Sequence, residues 1–332
     1  MASFFRCSTL PRAAARDMPV LARKTGSVVT SPHAGEVALT ALTGTAASVV
    51  RAVHIGPFVQ KYPSVRTLRV SGRSLLDLEG LEARGLRLVV HGARVRSLPP
   101  CQALELADVE LEPEVVMNAH TVVLDRVVGG GEWSLGDGVR SVCLRGCRLA
   151  EPVLAQPLRL SNLELRGSGC WGPSLLASLR GLRTLHVDGL RGRLDLRTRE
   201  LLRLRVSSAS AAEVVLHCGK IETAELAGVV AGSPPRSEVR LRQLSVLRPP
   251  QTDVDLTWLR GVADLWSVTV SAPSSARLRV TLDTEVPIAL ELRGVSQLAY
   301  RGPRPRWLLA DPGTAGLPRP PDPDPDPTDI PF

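Results

Sequence analysis

The residues of this chain whose types and spacing best suit a catalytic reaction are Glu164 and Asp188. These two carboxylates occupy similar places in neighbouring sequence segments. Hydrolysis of a glycosidic bond uses two such carboxyl groups, one as the acid and one as the base or nucleophile. This spacing keeps a carbohydrate-active β-helix protein open as one alternative. It predicts that replacing Glu164 with glutamine would abolish cleavage.

Other motifs that carry chemistry are missing or incomplete. The glycine run at 129–131 is not followed by a phosphate-binding lysine, and Cys143 and Cys147 lack the further ligands that a zinc site needs. The six cysteines have no C-x-x-C spacing and fall mostly in or beside apolar phrases, where a thiol acts as a small hydrophobe. The sequence therefore predicts a protein that is not an enzyme, with no catalytic residue, no cofactor and no metal.

One short phrase recurs along the chain: an apolar residue, any residue, and a second apolar residue. It occurs thirteen times at steps of 15 to 24 residues, and a unit of that length cannot bury its own apolar side. It must stack on neighbouring units, so the repeat predicts a solenoid. The first apolar residues of the phrases, which we call anchors, are Val53, Leu68, Leu88, Leu104, Val122, Val142, Leu163, Leu185, Leu204, Ala224, Leu244, Val268 and Leu290.

An independent position supports the repeat. Three places before the anchors, eleven of thirteen residues are apolar, where a hydrophobic content of 44% would give about six. Alternation with period two predicts a strand with one buried face, and the glycines at 72, 92, 146 and 189 predict sharp turns after four of these strands. Connections of about a dozen residues predict parallel strands, because each strand restarts in the same direction.

The phrase resembles the consensus of the leucine-rich-repeat superfamily, L-x-x-L-x-L-x-x-N/C-x-L. The segment 139–149, VRSVCLRGCRL, matches every position, with Cys147 at the asparagine or cysteine position. The resemblance implies a β-rich solenoid, a leucine-rich-repeat-like array of parallel strands with short irregular outer segments. The other repeats lack asparagine or cysteine at this position, so the family's asparagine ladder is missing. A right-handed parallel β-helix is therefore the alternative fold.

Residues that flank the inward pair of each phrase point outward from the sheet. Acids and arginines are nearly balanced among them, and none is Phe, Tyr or Trp. This composition disfavours nucleic acid and carbohydrate, which need clustered positive charge or exposed aromatic rings. It predicts a partner protein bound on the concave sheet through Glu105, Asp125, Arg145, Glu164, Arg166, His186, Asp188, Arg205 and Glu225.

The net charge of the chain is less informative than the types of residue that carry the positive charge. The formal net charge of the 332 residues is +8, which alone would raise nucleic acid as a partner. Nearly all the positive charge is arginine, and only Lys24, Lys61 and Lys220 are lysines, as a GC-rich genome produces. A viral or bacterial protein that acts on host proteins fits this bias. No apolar run approaches the roughly 18 residues of a membrane span.

The sequence predicts four regions. Residues 1–32 form a basic, disordered leader, 33–52 an amino-terminal cap, 53–300 the solenoid, and 301–332 a cap remnant with a proline-rich, acidic, disordered tail. The arginine-rich leader keeps mitochondrial import as a minor alternative to an intracellular, cytoplasmic location. Leucine-rich arrays often follow a ligase-recruiting domain, so a ubiquitin-ligase adaptor that recruits through residues 1–50 is a further alternative function.

Overall fold

The computed structural model describes residues 28–31, 36–40, 49–61, 66–154, 159–167, 171–172, 175–176, 179, 181–197, 200–217, 219–232, 240–262, 264–273 and 277–318. Contacts divide the chain into two units, Met1–Gly172 and Pro173–Phe332. Most of the predicted leader, up to residue 27, and the predicted tail from residue 319 onward lie outside the described residues.

The described residues of the first unit form short strands and one helix, α1, at Ala52–Lys61. Its strands are β1 (Val28–Ser31), β2 (Glu36–Thr40), β3 (Val49–Arg51), β4 (Thr67–Ser71), β5 (Leu75–Asp77), β6 (Ala83–His91), β7 (Arg94–Ser97), β8 (Cys101–Ala107), β9 (Glu110–Leu111), β10 (Val115–Met117), β11 (Ala119–Asp125), β12 (Trp133–Leu135), β13 (Ser141–Arg145), β14 (Val153–Leu154) and β15 (Asn162–Arg166).

The described residues of the second unit also form mainly strands, two of them long, together with a 3-10 helix at Thr257–Gly261. Its strands are β16 (Thr184–Asp188), β17 (Arg193–Leu196), β18 (Glu200–Leu216), β19 (Lys220–Gly232), β20 (Arg240–Leu247), β21 (Asp253–Leu256), β22 (Ser267–Ser271), β23 (Leu278–Asp283), β24 (Ala289–Arg293), β25 (Val295–Arg301) and β26 (Trp307–Ala310). Among the described residues, no helix has both the length and the apolar composition needed to cross a membrane.

Each unit has a main sheet of parallel strands, one strand from each coil of the chain. Its order is β2-β4-β6-β8-β11-β13-β15 in the first unit, with β1 antiparallel to β2, and β16-β18-β19-β20-β22-β24-β26 in the second. Other sides of the coils carry shorter parallel ladders, β3-β5-β7-β9, β10-β12-β14 and β21-β23-β25. The predicted parallel β-solenoid is confirmed, and the short outer ladders fit the β-helix alternative as well.

The anchors line up from coil to coil. In the first unit, each anchor from Leu68 to Val142 pairs with the anchor of the next coil. In the second unit, each anchor from Leu185 to Val268 does the same. These anchors and the residues two places after them are buried. A slip of one residue would turn the apolar set to solvent, so the register is fixed although successive anchors are 16 to 24 residues apart.

The first predicted anchor is wrong. Val53 lies in α1 with 70% of its surface exposed, and Val37 of β2 pairs with Leu68 in its place. A single apolar alternation is too short to distinguish a strand from a helix. At the other end, Leu308 of β26 pairs with Leu290, so the main sheet of the second unit includes a strand beyond residue 300.

In most coils the residue four places after the anchor has a left-handed backbone conformation and ends the main strand. We call this position the corner. The glycines at 72, 92, 146 and 189 all have positive φ there, which confirms the predicted turns. The same conformation is taken by three residues other than glycine, which carry a steric cost in it. They are Asp108, Arg126 and Arg248, with φ of 53°, 53° and 46°.

Backbone hydrogen bonds at this corner replace the missing asparagine ladder. The N–H of Gly92 donates to the Ala107 carbonyl at 3.0 Å, and that of Gly189 to the Ser207 carbonyl at 2.9 Å. Because the turn is satisfied by the next coil, the residue after the corner is free to be apolar. It is buried as Ala93, Val109, Val127, Cys147, Leu190, Val229 and Val295.

We predict that Gly294→Ala destabilises the second unit far more than Gly189→Ala. Both glycines occupy the left-handed corner, with φ of 67° and 83°. A Cβ on Gly294 would overlap the Ala272 carbonyl oxygen, whereas nothing lies within 4 Å of a Cβ on Gly189. Gly189→Ala should therefore cost only the left-handed penalty, about 1–2 kcal/mol. Urea denaturation followed by circular dichroism measures both losses, and equal losses would contradict the close approach at Gly294.

Candidate functional site

The strands of the main sheets expose every second side chain, and we call these side chains the outward face of each unit. The structure places all nine predicted partner-binding residues on it, alternating with the buried anchors. In each unit the outward positions form two columns, because equivalent positions of neighbouring coils are in register. Directly after the anchors are Glu105 and Glu164 in the first unit and His186, Arg205 and Glu225 in the second; three places after the anchors are Asp125, Arg145 and Arg166 in the first unit and Asp188 in the second.

Glu164 is the centre of a charged group in the first unit. Its Oε1 lies 2.5 Å from Nε of Arg166 on the same strand and 3.8 Å from Nη2 of Arg145 on the neighbouring strand. Cys143 is the lateral neighbour of Glu164 in the sheet. Burial and the charge of Glu164 raise the pKa of the Cys143 thiol, whereas Arg145 acts to lower it. Cys143 therefore reports on the electrostatics of this group.

An arginine clamp at the corner of the first unit was not predicted. Arg126 donates from Nε and Nη2 to the two carboxylate oxygens of Asp108, at 2.6 and 2.9 Å, and from Nη1 to Asp125 at 3.0 Å. The hydrogen bonds from Arg126 are the main reason that the pKa of Asp108 is lowered. The signal in the sequence was an acid and a base, in successive coils, at a position where other coils carry glycine.

The second unit repeats the lateral pairing with different residues. Nε2 of His186 lies 3.1 Å from Oδ1 of Asp188, and the Ser207 hydroxyl donates to the same oxygen at 2.8 Å. One strand further, Nε of Arg205 lies 3.2 Å from Oε1 of Glu225. Each charge therefore meets a partner on its own or an adjacent strand.

All nine predicted residues have a partner in their own unit: Glu105 pairs with Arg87, and Asp125 with Arg126 of the adjoining corner. The pairs are partly exposed, so each contributes at most about 1 kcal/mol to stability. Their main effect is on the surface: positive and negative groups compensate each other, and their side chains are held in place. The outward face can present a defined pattern of charge, in which the two laterally adjacent arginines, Arg145 and Arg166, share the Glu164 carboxylate.

The two carboxylates considered for sugar chemistry have other contacts. Glu164 belongs to the first unit and is held by two arginines, whereas Asp188 belongs to the second and is held by His186 and Ser207. Within the described ranges, histidine, cysteine and acidic side chains form no group of three or more that could hold a metal ion. Each of the two carboxylates is therefore engaged by neighbouring side chains of its own unit.

The outward face includes one aromatic residue on a strand that lies beyond the predicted phrases. Trp307 and Leu309 of β26 lie on it, 52% and 42% exposed. Close by in the unit, the guanidinium of Arg306 covers the half-exposed ring of Trp266, 4.8 Å from its centroid. This strand lies beyond the last predicted anchor, although the alternation of Leu308 and Ala310 was a signal for it.

No family model, no curated protein and no solved structure matches this chain. The function is therefore inferred from the outward face and its contacts.

We predict that alkylation of Cys143 responds in opposite directions to its two charged neighbours. Glu164→Gln removes a charge that raises the pKa of the thiol, so modification at neutral pH should become several-fold faster. Arg145→Gln should slow it for the converse reason. Iodoacetamide labelling of the native protein, read by peptide mass spectrometry, measures both rates. The same direction of change in both variants would mean that the three side chains are not grouped as described.

Proposed function

We propose that this protein is a non-enzymatic scaffold that binds a partner protein on the outward face of its main sheets. The observation that carries the proposal is that each of the nine predicted residues has a charged or polar partner within reach, on its own strand, on the neighbouring strand or at the adjoining corner. Charges arranged in this way select a partner with the complementary pattern and set its register. They also disfavour nucleic acid, because the arginines among them are already compensated by carboxylates.

The stacked coils support this role mechanically. A parallel ladder joined by hydrogen bonds holds its outward side chains at about 4.8 Å from one strand to the next. A partner therefore meets a surface that is ordered before binding, which lowers the entropic cost of association. Extended surfaces of this kind are the binding surfaces of repeat proteins in general.

We also propose that the solenoid is leucine-rich-repeat-like at the level of the single coil. The segment 139–149 supports this, because Val139, Val142, Leu144 and Cys147 are all buried. The thiol of Cys147 lies 3.4 Å from the Leu124 carbonyl oxygen, in the place where an asparagine of that family would bond to the backbone. An intracellular, cytoplasmic location belongs to the same proposal, since the buried Cys101 and Cys147 are free thiols.

The alternatives stay predictions with their own tests. An adaptor of a ubiquitin ligase would co-purify a ligase subunit in a manner that depends on residues 1–50, most of which lie outside the described residues. A carbohydrate-active protein would cleave a polysaccharide, and Glu164→Gln would abolish the cleavage. The described contacts favour neither.

The pair formed by Arg205 and Glu225 gives a direct test of the scaffold. Glu225→Arg breaks the pair, while the exchange of Arg205→Glu with Glu225→Arg restores it in reversed orientation. We expect the single variant to lose up to about 1 kcal/mol of stability and the exchange to regain it. Capture of the partner should fall at least about tenfold in both, because misplaced like charges at an interface are costly. Quantitative affinity purification with the full chain and thermal unfolding measure the two effects.

A matched exchange on another side of the same unit is the control. Arg193 lies 3.4 Å from Glu213, and these residues pair β17 with the later part of β18. Exchanging them should leave capture unchanged. If capture recovers in the Arg205 and Glu225 exchange, the single variant acted through the fold. If capture survives this exchange and the corresponding one at Arg145 and Glu164, the outward face does not bind the partner.

A further inference from the structure

The parallel strands of the two units end differently. In the first unit, the parallel series ends at β2, whose outer edge pairs with the antiparallel strand β1. In the second unit, β26 pairs with β24, and no strand in the described ranges pairs with its other edge. An unpaired edge presents a row of backbone N–H and C=O groups, which is a template for a further strand.

The residues of β26 do not protect this edge. Natural edge strands are usually guarded by charges or by proline within the strand. Trp307–Ala310 contains neither; the nearest prolines, Pro305 and Pro312, only limit the length of the strand. On the outward face it exposes Trp307 and Leu309 by 52% and 42% of their surfaces. This apolar edge is therefore suited to pairing.

We propose that β26 pairs antiparallel with β26 of a second copy of this chain, around a two-fold axis at Leu308. Trp307 and Leu309 are placed symmetrically about Leu308 and share one face of the strand. A two-fold axis perpendicular to the sheet therefore puts Trp307 of each copy opposite Leu309 of the other. Cross-strand pairs of an aromatic and an aliphatic side chain at about 5 Å are among those that stabilise antiparallel sheets.

The charges that flank β26 favour the same arrangement. Arg304 and Arg306 precede the strand and Asp311 follows it, so antiparallel pairing brings the acid of one copy beside the arginines of the other. Parallel pairing would align like charges. The Asp311 carboxylate is held in place, because it accepts a hydrogen bond from the backbone N–H of Gly294.

The symmetry also limits the assembly. An isologous contact uses the same surface of both copies, so it closes at two chains and leaves no further edge at this site. A dimer of this kind removes the aggregation hazard of the exposed strand without a separate cap. It uses neither the charged pairs of the outward face nor a partner protein, so it is independent of the scaffold function.

Two variants of the full chain test the register. In Trp307→Lys each introduced lysine faces Leu309 of the other copy, and in Leu309→Glu each introduced glutamate faces Trp307. We expect wild-type protein to sediment at twice 35.6 kDa and each variant to raise the dissociation constant at least about tenfold. An equimolar mixture of the two variants should recover the dimer, because a lysine of one copy then faces a glutamate of the other.

Leu202→Lys is the control, since Leu202 is 46% exposed in the same unit but lies on β18. It should leave the dimer intact, and circular dichroism should show all variants folded. A monomeric wild-type chain at every concentration overturns the proposal, as does a dimer that neither variant weakens or a mixture that fails to recover. If removal of residues 319–332 converts a monomer into a dimer, the carboxy-terminal tail covers this edge in the full chain, and the proposal is wrong.

Discussion

Every coil of this protein depends on its neighbours for the hydrogen bonds of its own backbone. The main strands pair in parallel from one coil to the next, so their N–H and C=O groups are satisfied across the coils and not within them. The left-handed corners follow the same rule, as when the N–H of Arg126 donates to the Arg145 carbonyl at 2.7 Å. This constraint explains why apolar residues replace the asparagine ladder, and why the positions of the anchors are kept while the connections vary in length.

The functional surface is a consequence of that register. Once the anchors are aligned, the residues between them must also be aligned, and charges on adjacent strands come within reach of one another. Glu225 meets Arg205 and Glu164 meets Arg145 because their coils stack anchor on anchor. The compensated charges of the outward face therefore arise from the same geometry that buries the core.

The sequence predicted the parts of the fold that repeat and missed the parts that do not. Alternation over many coils identified the main strands and the orientation of all nine predicted outward residues. It failed at Val53, where one alternation stood alone, and at β26, which lies beyond the last anchor. The clamp between Arg126 and Asp108 was missed because the corner was expected to require glycine, whereas both residues adopt the left-handed conformation.

The amino-acid sequence by itself determined the period, the buried columns and the direction of the outward side chains. These depend on local alternation and on the cost of exposing apolar residues, and both can be read from residue order. Only the tertiary structure decided which charges pair, which corners tolerate a side chain, and which strand edge is left uncovered. These depend on what the neighbouring coil places within a few ångströms, and connections of variable length hide that information from residue order.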